Sequence, residues 1–197
     1  MKKLIIALLL LTTSLVSAKT VNLDLTGPVT EESMWILKFK LRYHINIGDV
    51  VYLNIDSPGG EVLAGQMFIA ELIKLQKRGR IYCVAKDKVI SMAMMVFINC
   101  DNRIGENPEA RMLHHNPLFG YRGYLNVPIM EEFIRQLKEL SDAADNKFLQ
   151  VSKMEKNYME FLRDTDTVLP ASRMRVVAPC LFNLKKIRGV WRKRIGC

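Results

Sequence analysis

Four separated segments of this 197-residue chain carry side chains whose types and setting could do chemistry. Ile55-Asp56-Ser57-Pro58-Gly59-Gly60 reads as a strand running into a Pro-Gly-Gly turn and then a helix. Paired glycines let the backbone take positive φ and expose N–H groups without a blocking Cβ. Such donors suit a phosphate, or the oxyanion of an acyl-transfer intermediate; a plain turn has the same look. A P-loop is excluded, because the Gly-Lys-Ser/Thr ending is missing. Ser91, followed by Met92, falls at the start of a short helical run. Unpaired N–H groups and the positive helix end there suit an activated serine and an oxyanion, and an N-cap serine is the structural alternative. His114-His115 offers a base at a strand end. Adjacent strand residues point to opposite faces, so at most one of the two is expected in a shared site. Asp164-Thr165-Asp166 supplies a carboxylate that could orient an imidazole, or a solvated acidic turn.

Alternating elements must position these groups. Residues 50–55 form a β-rich run. A helix follows, with Met67, Ala70, Ile73 and Leu75 expected on one face, ending at Arg78-Gly79. A second strand is expected over 81–85, then a charged turn, then a short buried helix over 91–98. Arg111 to His115 reads as another strand, halted by Asn116-Pro117. One long helical stretch is expected from about Pro128 to Arg163, with Phe133, Leu137, Leu140, Phe148 and Val151 on its apolar side. This alternation gives an α/β class in a single domain, with central strands covered by helices.

Composition narrows the function classes. A hydrophobic fraction of 49% with 25% charged residues excludes a disordered chain. Cys83, Cys100, Cys180 and Cys197 are too far apart for a zinc-type C-x-x-C site. The formal net charge is +9, yet eight basic residues and no acid fall in 171–197, so the body is nearly neutral and no basic face is indicated there. The tail reads either as a solvated, partly disordered end or as a contact for an anionic membrane surface, nucleic acid or acidic partner. Met1-Lys2-Lys3, the apolar run from Leu4 to Leu11 and Val16-Ser17-Ala18 have the layout of a bacterial secretory leader, cleaved after Ala18, with an uncleaved N-terminal anchor as the alternative. The expected division is therefore a signal peptide over 1–18, a domain over 19–171 and a basic tail over 172–197. Periplasmic or secreted location makes disulfides possible. Cys83–Cys100 is the pair to watch, with buried free thiols an equal alternative.

Together the four segments resemble the Clp protease proteolytic subunit (ClpP) family. That family has Ser-Pro-Gly-Gly after a strand and Ala-Gly in the next helix, matched by Ser57-Pro58-Gly59-Gly60 and Ala64-Gly65. Its nucleophile lies in Ala-Ser-Met-Gly, similar to Ile90-Ser91-Met92-Ala93, and its base in His-Gln-Pro, similar to His115-Asn116-Pro117. Its acid precedes the leucine of Leu-Ser-Ala by three residues, which points to Asp166 before Leu169-Pro170-Ala171. Ala93 in place of glycine, the bulky Val89-Ile90 and the altered ending after Ala171 are departures.

The resemblance implies a ClpP/crotonase-like fold of repeated ββα units. It also implies a serine endopeptidase with catalytic Ser91, His115 and Asp166, and an oxyanion hole from the N–H groups of Gly60 and Met92. No cofactor or metal is implied. Short or unfolded polypeptides are the implied substrates and a homo-oligomer the implied assembly; export would separate the chain from the ATPase partner of cytoplasmic relatives. Asp56 resembles exported or membrane-bound relatives with a Ser-Lys dyad, but Lys86 and Lys88 rank below His115. The alternatives are a catalytically impaired binding or assembly module and a crotonase-type acyl-CoA enzyme. The Ser-His-Asp order argues against the latter.

Overall fold

The computed structural model describes residues 18–118 and 126–197, so the leader expected over 1–18 lies outside it except for Ala18. The chain runs β1 (Thr20–Thr26), α1 (Glu31–Asn46), β2 (Val50–Ser57), α2 (Val62–Gln76), β3 (Ile81–Ile90), α3 (Met92–Ile98), β4 (Arg103–Ile104) and β5 (Arg111–Leu113). It continues through α4 (Val127–Ser152), α5 (Lys156–Asp164), β6 (Leu169–Pro170), α6 (Ala171–Val177), β7 (Leu184–Ile187) and β8 (Val190–Lys193). The main sheet has the order β1-β2-β3-β5-β6, with β4 beside the first half of β3. Its pairings are parallel except for β5–β6.

Alternation explains which face of the sheet is covered. Val51, Leu53, Ile55 and Ser57 of β2 are fully buried under the helices, while Tyr52, Asn54 and Asp56 between them face the other side. Helix α1 answers with Met34, Leu37, Leu41 and Ile45. Its start is set by a capping box, in which Thr30 Oγ1 accepts from the Ser33 N–H and Ser33 Oγ accepts from the Thr30 N–H.

The structure redraws several expected elements. In α2 the core face is Ala64, Gly65, Phe68, Leu72 and Leu75; Met67, Ala70 and Ile73 are exposed. This helix is apolar on more than one side, so periodicity alone could not choose the core face. The charged stretch Lys86-Asp87-Lys88 is a continuation of β3 and not a turn. It is held by pairing with β5, by an Arg111–Asp87 ion pair at 2.8 Å, and by the Lys88 N–H donating to Asp56 Oδ1. The long helical stretch is two helices, α4 and α5, separated where Lys153 takes a left-handed conformation at the end of α4. Of the apolar side expected there, Phe148 alone is fully buried.

Of the two readings of the C-terminal stretch, the solvated, partly disordered end is corrected: residues 171–197 are folded. Disulfides join Cys83 to Cys100 and Cys180 to Cys197. Between the second pair of cysteines, β7 and β8 form a hairpin, and Leu184 and Trp191 pack on Val84, Ile104, Tyr52 and Tyr82 of the sheet face away from the helices. Buried Arg103 ties the hairpin to the body, donating to the carbonyls of Leu181, Cys180 and Cys100, while its backbone N–H donates to Asn183 Oδ1.

Candidate active site

Ser91 is the single residue between the end of β3 and the start of α3. Its backbone is at φ 57° and ψ −124°, a conformation that costs a non-glycine residue about 1–3 kcal/mol. A strand–serine–helix elbow of this kind lifts a hydroxyl clear of the sheet. The elbow is pinned to the neighbouring strand, since the Ser91 N–H donates to the Leu113 carbonyl at 3.0 Å. The Ser91 side chain makes no cap hydrogen bond to α3, so the plain N-cap role is not the one it plays.

The Pro-Gly-Gly turn lies directly against this elbow. A Cβ on Gly59, whose φ is +87°, would stand 2.6 Å from Ser91 Cβ and 2.8 Å from the Met92 nitrogen. Only glycine allows that approach. Gly60 is bridged to Val29, with the bonds made by the Gly59 carbonyl and the Glu61 N–H. Met92 opens α3, where an N–H has no partner within the helix. The Ala64-Gly65 pair of α2 also has a role here: a Cβ on Gly65 would stand 2.6 Å from Met92 Cε, so the glycine makes room for the residue after the serine.

Beside the serine is an apolar cavity of about 390 Å³, walled by α2 through Val62, Ile69 and Ile73, by α3 through Met92 and Met95, and by α4 through Leu140 and Ala144. Ser91, His114 and His115 all line it. The expectation that at most one histidine reaches a shared site is therefore corrected. Strand β5 ends at Leu113, and strand alternation does not govern the two residues beyond it. Ala70 and Ile73, which the sequence assigned to the core, are part of this cavity's wall, whereas Met67 lies outside it.

The two histidines have different partners. His115 Nδ1 is 3.6 Å from Asp166 Oδ1, longer than a hydrogen bond, and the Asp166 side chain is 66% exposed. Asp166 sits at φ 47° just past α5. His114 is buried, stacked parallel on Phe148 at 4.9 Å, with Nε2 2.7 Å from Asp145 Oδ1. Asp145 in turn accepts a hydrogen bond from Arg163, whose Nε is held by Asp164 at 2.8 Å. Burial pushes the Asp145 carboxyl up, but hydrogen bonding and charge from His114 and Arg163 outweigh it and hold the group below the ordinary carboxylate range.

Sequence reading missed Asp145 and Arg163. The available signal was an acid three residues before Phe148, on the buried side of α4. Lys86 is exposed and Lys88 is half-buried on β3; neither lines the cavity.

The layout is that of an α/β protein whose strained serine elbow opens onto an apolar cleft with imidazoles on its wall. Protein-family models narrow it further: residues 11–174 match Clp protease, and the chain belongs to the Clp protease family. Its fold is accordingly of the ClpP/crotonase type. Among the curated proteins nothing matches it.

Proposed function

We propose that the chain is a serine endopeptidase acting on short or unfolded polypeptides, with Ser91 as nucleophile. The observation that carries this reading is the Ser91 backbone, held at positive φ between β3 and α3 with its side chain unused as a cap and His115 on the same cavity. Ser91 Oγ attacks the peptide carbonyl while His115 Nε2 takes its proton. The imidazolium passes that proton to the leaving amine, and water then cleaves the acyl-enzyme by the same route. Asp166, 3.6 Å from Nδ1, takes the orienting role once it closes to hydrogen-bond distance. The N–H groups of Gly60 and Met92 serve the oxyanion, a role worth about 3–4 kcal/mol per donor. The apolar cavity takes the side chain preceding the cleaved bond.

The 3.6 Å gap between His115 and the exposed Asp166 favours a second reading, a catalytically impaired binding or assembly module. Labelling by a serine-directed fluorophosphonate separates the two. Export through cleavage after Ala18 belongs to the same proposal. Two disulfides support an oxidising compartment. Cleavage there would also turn the Lys19 nitrogen, 3.0 Å from buried Asp49 Oδ1, into an ammonium beside a carboxylate. Self-association draws support from Trp35, Phe39 and Tyr43, which leave a large apolar face of α1 in solvent.

A further inference from the structure

The basic C-terminal stretch is a shaped surface. Arg175 of α6 and Arg194, just past β8, converge on a cavity of about 550 Å³ that is also lined by Lys185, Lys186 and Trp191 of the hairpin. Glu106 is the one acid on its wall, and among the described residues none of the four cations has an ion-pair partner. Their contacts leave most donors free. Arg175 lies over the Phe182 ring at 4.8 Å and Lys186 over Trp191 at 5.6 Å, while Arg194 spends one N–H on the Pro179 carbonyl. A guanidinium has five N–H groups.

Like charges held this close repel. Burial, and then the charge of Arg194, hold Arg175 below the ordinary arginine value. The fold nevertheless fixes the arrangement. The Cys180–Cys197 disulfide closes the segment, the Arg194 N–H donates to the Asn183 carbonyl, and Asn183 is buried against Asp101 and Arg103. An anion in the cavity would relieve the repulsion that the fold maintains.

We propose that this cavity binds a phosphate group, with Arg175 and Arg194 gripping its oxygens, Lys185 and Lys186 adding charge, and the Trp191 side taking the apolar part of an ester. Forked guanidinium donors match the oxygens of a phosphate in pairs. Four cations against one acid suit a multiply charged anion better than a single carboxylate. The site lies almost wholly beyond residue 174, where the family match ends, and on the sheet face away from Ser91. It therefore stands or falls independently of peptidase activity.

The test uses the protein with both disulfides oxidised, titrated calorimetrically with inorganic phosphate and pyrophosphate, and floated with phosphatidylglycerol or phosphatidylcholine vesicles. Saturable binding of the soluble anions, or selective flotation with phosphatidylglycerol, is expected; the first result assigns a soluble phosphate and the second a lipid headgroup. Arg175→Gln with Lys185→Gln should weaken that binding about tenfold or more, the worth of charge-assisted hydrogen bonds. Arg188→Gln with Lys193→Gln removes the same charge outside the cavity and should change it less than about twofold. If Arg175→Gln impairs folding, Lys185→Gln with Lys186→Gln replaces it against the same control. Equal losses in both pairs would show diffuse attraction and overturn the site, as would no binding of either phosphate form.

Discussion

His114 Nε2 and Asp145 Oδ1 lie 2.7 Å apart, joining the end of β5 to the middle of α4 across 31 residues of sequence. Asp145 also accepts from Arg163, three residues before Asp166. One largely buried hydrogen-bonded chain therefore ties the segment carrying His115 to the helix that leads into Asp166. Removing the carboxylate leaves the buried His114 ring without its partner, and an unsatisfied buried polar group costs about 1–3 kcal/mol. Asp145→Ala is expected to lower unfolding free energy by about that much in urea titrations. His114→Ala should also be clearly destabilising, because it removes a buried ring and leaves Asp145 Oδ1 without that partner. Wild-type midpoints for both variants would contradict the brace.

The same pair sets a pH dependence. Asp145 is held below its ordinary value in the folded state, so it binds a proton less readily there than in the unfolded chain. Its contribution is complete above about pH 4, the unfolded carboxylate value, and is lost as pH falls through the lower folded value. The stability difference between wild type and Asp145→Asn should thus be flat near neutrality and shrink in acid. A difference that grows on acidification would contradict the direction of the shift.

Gly59→Ala is expected to damage the elbow specifically. The new methyl would overlap Ser91 and the Met92 nitrogen at a backbone with φ +87°. Peptidase activity should fall about a hundredfold, the scale of a lost oxyanion donor. Gly27→Ala, with φ +78° but open space around it, isolates the backbone cost and should leave activity intact. Full activity of the Gly59→Ala protein would place the chemistry elsewhere.

Oxidised protein should resist trypsin at the six basic residues over 185–194, since the hairpin is paired and closed by Cys180–Cys197. A disulfide closing a loop of this size contributes about 3 kcal/mol. Cys180→Ser with Cys197→Ser is expected to speed cleavage there, read by mass spectrometry of the fragments. Unchanged cleavage rates would mean that packing by Leu184 and Trp191 suffices.

Intact-mass analysis of secreted protein should begin at Lys19. The new ammonium would then pair with Asp49, which His44 already holds through Nδ1 at 2.9 Å. Secreted protein that begins elsewhere would move the cleavage site, and a full-length cytoplasmic product would remove the export proposal.

Local chemistry was the legible part of the sequence. The turn at Ser57-Pro58-Gly59-Gly60, the helix starting after Ser91 and the strand ending near His115 are set by neighbours in the chain, and each could be placed from residue types alone. What could not be read depends on distant partners. Lys86-Asp87-Lys88 looks like a turn until Arg111 and Asp56 are beside it. Met67, Ala70 and Ile73 match a core stripe, but α2 has a second apolar side facing the cavity and solvent. The His114–Asp145–Arg163 chain joins three elements, and no spacing announces it. Eight cations without an acid suggested a loose tail, whereas the disulfide and buried Asn183 order it.

Fluorophosphonate labelling of the oxidised wild-type protein, with peptide mapping of the adduct, tests the nucleophile most directly. A single adduct on Ser91 is expected, absent in Ser91→Ala and strongly reduced in His115→Ala, while Asp166→Asn slows labelling by orders of magnitude. No adduct on wild-type protein, or peptide cleavage by Ser91→Ala at the wild-type rate, would contradict the serine peptidase.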